Sequence, residues 1–202
     1  MSAASARLAA ADPVMAGLIA THGELERPSL GSDVYASLLR AIVGQQLSVR
    51  AADAIYGRLL ARFGGRPPTP AEVLADDPEE LRVACGLSHA KVRYLRSLAE
   101  HVESGTLALE RLTELDDEAV TTELTAVKGI GTWSADMFLM FTLGRPDVMA
   151  SGDLGIRQAV RRAYGLEALP TVAEVEALGE RWRPDRTLAC LYLWASLENV
   201  PV

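Results

Sequence analysis

Two stretches of the sequence carry residue types suited to chemistry. The first is Leu124-Thr125-Ala126-Val127-Lys128-Gly129-Ile130-Gly131-Thr132-Trp133, in which two glycines bracket one apolar residue. Such a pair permits a tight turn whose backbone N–H groups point outward together, and a helix starting at once sets its positive end beside them. That combination suits a phosphate group. The second is Asp153, in Ser151-Gly152-Asp153, followed by Leu154, Ile156, Ala159, Val160 and Ala163 at helical spacing. A carboxylate there sits at a helix N-terminus, where the dipole stabilises the anion by roughly 0.3–1 kcal/mol. It reads as a plain helix cap or as a rigidly held catalytic anion, and the two roles are compatible. A phosphate grip followed by a placed carboxylate points to chemistry on nucleic acid.

Other candidates are fewer. Trp133 and Met137 stand four apart, on one face of the helix leaving the glycine turn, and with Trp194 they could line an apolar pocket or simply pack a core. His22, His89 and His101 are scattered, without metal-ligand or triad spacing. Cys85 and Cys190 cannot supply an iron–sulfur cluster or a Cys-only zinc site and read as buried free thiols. No Walker loop, dinucleotide fingerprint or nucleophile elbow is present.

The elements that must position these residues are helices. Thr69-Pro70-Ala71-Glu72 and Thr171-Val172-Ala173-Glu174 have the capping-box pattern, and Asp77-Pro78-Glu79-Glu80 places proline at a first helical position. Val34, Leu38, Leu39, Ile42 and Val43 form one helical stripe; Ile55, Leu59 and Leu60 form a second; Val92, Leu95, Leu98, Ala99 and Val102 form a third. No alternating run predicts a strand, so the fold class is all-α with short connections. Between the first two stripes, Gly44-Gln45-Gln46-Leu47-Ser48 breaks the helix. Ser48 can cap the next one, and the break serves as a plain connector or as a pointed turn able to enter a groove.

Composition narrows the partners. The 202 residues, 49% hydrophobic, suffice for one large core or two small ones, and no apolar run is long enough for a membrane span. The Ala-rich start carries Arg7 and Asp12 and does not resemble a secretory signal, so a cytoplasmic, nucleoid-associated location is expected. The net charge of −7 argues against nucleic acid until its distribution is considered. Residues 38–66 hold Arg40, Arg50, Arg58, Arg62 and Arg66 against Asp53 alone, and Arg157, Arg161, Arg162, Arg181, Arg183 and Arg186 form later clusters. A phosphate backbone senses a local basic face, because charges are screened within about 8 Å at physiological salt.

Taken together, Val127 to Met137, Gly144-Arg145-Pro146-Asp147-Val148, Gly152-Asp153-Leu154-Gly155 and Ala41-Ile42-Val43-Gly44-Gln45-Gln46-Leu47-Ser48 resemble the helix-hairpin-helix DNA glycosylases. The resemblance is strongest to the 3-methyladenine DNA glycosylase II (AlkA-like) branch and runs from about Val34 to Val202. It implies that Asp153 stabilises the positive charge developing on deoxyribose as the N-glycosidic bond breaks. It places Trp133, Met137 and Trp194 around an extruded base. Gln46 or Leu47 becomes the wedge filling the vacated stack, and Lys128, Gly129, Gly131 and Thr132 become contacts to the DNA backbone. It further implies a monovalent cation on the carbonyls of Thr125, Val127 and Ile130, with no other cofactor required.

Two departures sharpen the expectation. Trp133 stands where bifunctional members carry a Schiff-base lysine, which implies a monofunctional enzyme without lyase activity. The best-known members carry an N-terminal β-rich domain, whereas this chain begins almost directly at the helical core. Two helical subdomains flanking a DNA-binding cleft are therefore expected, one from 33–145 ending in the helix-hairpin-helix and one combining 1–32 with 146–202. The expected substrate is duplex DNA with N-alkylated bases of the 3-methyladenine and 7-methylguanine type, bound by a monomer away from any membrane. The alternatives are a glycosylase for etheno or deaminated bases and a non-catalytic helix-hairpin-helix module.

Overall fold

The computed structural model of the protein describes residues 1–31 and 33–197; Ser32 and residues 198–202, which end the second expected subdomain, lie outside the described residues. Among the described residues all regular structure is helical, in agreement with the capping signals and apolar spacing. No helix among them is long and apolar enough to cross a membrane. The chain divides into two compact units. Gly31–Phe138 form one, here the hairpin unit; Met1–Leu30 with the chain from Leu139 onward form the other, the aspartate unit.

The aspartate unit begins with α1 (Ala3–Ala11) and α2 (Pro13–His22). Asp12 joins them, its side chain accepting from Val14 N–H while Pro13 takes the first helical position. The same Asp-Pro signal is conspicuous at Asp77-Pro78, yet the Ala-rich composition of the start conceals it there.

The hairpin unit holds α3 (Val34–Gly44), α4 (Val49–Arg62), α5 (Pro70–Ala75), α6 (Pro78–Cys85), α7 (His89–Glu103) and α8 (Asp117–Ala126). It also contains the first residues of α9 (Thr132–Phe141), within which the two units meet along the chain. Ser48 caps α4 through Ala51 N–H, and Thr69 with Glu72 forms the expected capping box on α5. The first stripe buries Leu38, Leu39, Ile42 and Val43, and the third buries Leu95, Leu98 and Ala99. Their faces bring α3 and α5 onto α7, while α4 packs on α3 and α6.

In the aspartate unit, α10 (Leu154–Ala163) and α11 (Val172–Gly179) precede α12 (Arg186–Ala195). Residues Thr187 to Trp194 of α12 are all buried, as befits a helix surrounded by others; α1, α2 and α10 pack on it. Ile156, Ala159 and Val160 form the buried face of α10, but Leu154, expected on that stripe, is 54% exposed at the first position of the helix. The Thr171 capping box on α11 is present. Both cysteines are free and buried.

Candidate nucleic-acid interface and carboxylate site

The glycine turn links α8 to α9, and its geometry is set by sterics. Ile130 N–H donates to Val127 O at 3.1 Å, closing the turn, and Gly129 takes a φ of 95°. A Cβ at Gly129 would also run into the ring of Tyr94 from α7, so glycine is required on two counts. Gly131 and Thr132 are exposed at the start of α9, whose opening N–H groups have no acceptor within the helix. Lys128 also presents an exposed side chain, but its backbone N–H turns inward to Ser97 Oγ at 3.2 Å. The exposed residues of the turn are thus Gly131 and Thr132, with the Lys128 side chain adding charge beside them.

The carbonyls of Thr125 and Val127 fall at the C-terminus of α8, where helix carbonyls lose their partners and carry partial negative charge, and that of Ile130 belongs to the turn that follows. Hard oxygen donors of this kind fit a monovalent cation. Val127 O already accepts from Ile130 N–H and retains one lone pair for such an ion.

Next to the hairpin, in the same unit, stands the Gly44–Ser48 turn. Gln46 adopts a φ of 58°, unique among the non-glycine residues described. Leu47 N–H donates to Gly44 O at 3.2 Å, and the side chains of Gln46 and Leu47 are exposed, Leu47 by 39%. Gln45 points the other way and donates from Nε2 to Gly129 O at 2.8 Å. A cavity of about 360 Å³ opens here, lined among others by Gln45, Gln46, Lys91, Tyr94, Gly129 and Trp133. Trp133 is 45% exposed, a large apolar surface for a residue beside a polar turn, and Met137 is half-buried on the next turn of α9.

Asp153 caps α10 in the aspartate unit. Its Oδ1 accepts from Ile156 N–H at 2.8 Å and from Trp194 Nε1–H at 2.9 Å. Two donors from different helices on one oxygen fix the carboxylate's orientation. Gly155 makes the arrangement fit, since a Cβ there would lie 2.9 Å from Asp153 Oδ1 and 3.3 Å from the Trp194 ring. Trp194 itself is only 1% exposed, tilted against Phe141 with ring centroids 6.1 Å apart. Trp194, expected to line a base pocket, is a buried ring on the central helix of its unit, and its indole N–H bonds Asp153.

The basic face inferred from arginine clusters is smaller in three dimensions. Arg62 forms a two-pronged bridge to Asp76 at 2.6 Å, Arg66 pairs with Glu72, and Arg40 pairs with Asp53 while lying 5.4 Å from the Tyr56 ring centre. Arg58 donates to Cys85 O, and Arg157 to Pro170 O. Arg183 and Arg186 both bridge to Asp147. Asp76, Glu72 and Asp147 lie outside the windows over which the arginines were counted, so the count left these pairs out. The sequence assigns Gln45 no partner, and Lys91, Tyr94 and Gly155 no role. Gly155 was visible as the second glycine of Gly-Asp-Leu-Gly, whereas the other three act only through partners far along the chain.

Comparison with known proteins shows the family of the chain. A family model described as HhH-GPD superfamily base excision DNA repair protein matches residues 39–184. DNA-3-methyladenine glycosylase 1 of Schizosaccharomyces pombe is 41% identical over 162 residues, 79% of this chain and 71% of that protein. Among solved structures, the S. pombe 3-methyladenine DNA glycosylase in complex with abasic DNA matches with a TM-score of 0.87 at 36% identity, over 98% of this chain and 97% of that one. A DNA-3-methyladenine glycosidase from Bacillus halodurans matches with a TM-score of 0.86 at 38% identity, over 96% of this chain and 89% of that one.

Proposed function

The chain belongs to the HhH-GPD superfamily of base excision DNA repair proteins, and from that premise we propose that it is a monofunctional DNA N-glycosylase. It excises N-alkylated bases of the 3-methyladenine and 7-methylguanine type from duplex DNA and leaves an abasic site. The observation carrying this reading is the Asp153 carboxylate, held by Ile156 N–H and Trp194 Nε1–H at the N-terminus of α10. A module that only bound DNA would have no use for a carboxylate oriented by two helices.

The chemistry follows from electrostatics. As the glycosidic bond lengthens, positive charge grows on the sugar, and a pre-oriented anion stabilises it without reorganising. Asp153 supplies that anion and assists the incoming water. N-alkylated purines are cationic and good leaving groups, so no strong general acid is needed. The exposed face of Trp133 would stack on such an electron-poor base, a contact of roughly 1–3 kcal/mol, with Met137 beside it. Extrusion of the base costs a few kcal/mol, least at damaged pairs. Gln46 and Leu47, exposed at the tip of their turn, fill the vacated space. Lys128, Gly129, Gly131 and Thr132 hold the strand by its phosphates. A monovalent cation on Thr125, Val127 and Ile130 would add charge against the same phosphate. Trp133 offers no amine at the position where a lyase needs one. The protein acts as a monomer on DNA in the cytoplasm.

Incubation with randomly methylated duplex DNA, followed by identification of every free base, tests this reading. Release of 3-methyladenine and 7-methylguanine without strand cleavage, and without a covalent complex trapped by borohydride, is expected. Release of only etheno or deaminated bases would move the substrate class. Binding without release of any base would leave a non-catalytic module.

A further inference from the structure

The Gly44–Ser48 turn is held in a way that simple helix connection does not require. A non-glycine residue at φ 58° is strained and persists only where its surroundings over-determine it. Gln46 lacks the short polar side chain by which Asn or Asp favours that conformation locally, so the determination comes from the residues around it.

The chain leading into Gln46 is tied down at two points. On the C-terminal side of α3, Lys91 Nζ donates to Val43 O at 2.6 Å. This places a cation against the last carbonyls of the helix that leads into the turn, where it is favoured by the dipole. The bond is made at a cost, since partial burial pushes the Lys91 amine below its ordinary value. Immediately before Gln46, the Gln45 side chain crosses to the hairpin and bonds Gly129 O at 2.8 Å. Gly129 is the residue whose left-handed backbone shapes that hairpin, and its carbonyl direction is set by the turn itself. The Tyr94 ring, one helical turn after Lys91 on α7, lies directly against Gly129. The N-terminal half of α7 therefore contacts the end of α3 through Lys91 and the hairpin through Tyr94, and Gln45 closes the loop between them.

We propose that Gln45 and Lys91 are positioning residues that lock the Gln46–Leu47 wedge in fixed register with the phosphate-binding hairpin. Grip on the strand and insertion into the base stack then act as one rigid lever. The proposal rests on the glycosylase reading and deepens it by assigning how extrusion is driven. Its consequence is specific: the lock matters when a paired, stacked base must be displaced, and it is superfluous when the damaged base is already unpaired.

The test compares single-turnover release of 7-methylguanine from a fully paired duplex with release from the same strand lacking a partner base at that position. Gln45→Met removes the amide donor at nearly constant volume, and Lys91→Met removes the ammonium; Lys91→Arg keeps a cationic donor. Each methionine variant is expected to slow release from the paired duplex by about 3- to 10-fold, the worth of one net hydrogen bond. Release from the unpaired site should stay at the wild-type rate, and Lys91→Arg should recover part of the loss. Should Lys91→Met fail to fold, Gln45→Met, at a half-buried surface turn, carries the comparison alone. Equal slowing on both DNAs, or no slowing on either, overturns the lever. Failure of the wild-type protein to release the base from both DNAs would instead overturn the glycosylase reading on which the lever depends.

Discussion

Trp194 donates its indole N–H to the same oxygen of Asp153 that caps α10, at 2.9 Å, with Gly155 leaving the space between them. A residue that a local reading takes for a helix cap is thereby tied to the central helix of its unit. The tie defines how the carboxylate can act, because an anion held by two donors needs no reorientation when charge develops nearby.

Asp153→Asn is expected to retain DNA binding and lose base release by roughly 100- to 1000-fold, the range for removing one pre-oriented electrostatic partner. Trp194→Phe keeps most of the buried ring and removes only the donor. It should lower kcat by about 3- to 10-fold with little change in DNA affinity. Single-turnover release and fluorescence anisotropy measure both. Release by Asp153→Asn at the wild-type rate would sink the mechanism.

Gly155→Ala separates folding from function. Alanine favours a helix over glycine by up to about 1 kcal/mol, but its Cβ would sit 2.9 Å from Asp153 Oδ1, so the carboxylate or the indole must shift. We expect a melting temperature near that of the wild type together with an approximately tenfold loss of release, from misplacement of the carboxylate. An unchanged rate would show that the position of Oδ1 is not critical.

Gly129→Ala should fail differently. Both the φ of 95° and the Tyr94 ring oppose a Cβ there, so the hairpin must distort, destabilising the fold by on the order of 1–3 kcal/mol. DNA binding should weaken along with stability. Adding Tyr94→Ala removes the clash but not the backbone strain and should recover only part of the loss in a heat-unfolding series.

The acid stability of the aspartate unit depends on Asp12, which is 1% exposed. Burial opposes its ionisation, but hydrogen bonds from Tyr164, Trp182 and the N–H groups of Val14 and Met15 outweigh burial and hold the carboxyl below its ordinary value of 3.8. A depressed folded value means that the stabilisation is fully present above the unfolded value and is lost as pH falls through the folded one. Asp12→Asn should therefore destabilise the protein by about 1–3 kcal/mol at neutral pH, leaving buried donors poorly matched. The difference from wild type should shrink below about pH 4. A difference constant from pH 7 to pH 3 in denaturant titrations would assign the role to packing instead.

Local rules were legible throughout the chain. The capping boxes at Thr69 and Thr171, the Asp77-Pro78 start and the buried stripes of α3 and α7 stand as the sequence predicts. Each is settled by residues within about one or two helical turns, where propensity and capping act. The arginine clusters were read less well. Arg62 finds Asp76 and Arg186 finds Asp147 across other helices, so a count over a sequence window overstates the free basic charge.

The sequence by itself determined an all-helical chain, a glycine turn between two helices, and an aspartate at the start of a helix. Those outcomes depend on backbone sterics and on hydrogen bonds that reach only three or four residues. Only the tertiary structure decided that Trp194, 41 positions from Asp153, holds its carboxylate, and that Gln45, 84 positions from Gly129, ties the Gly44–Ser48 turn to the hairpin. Such pairings follow from which helix faces pack together, and no local rule contains that information.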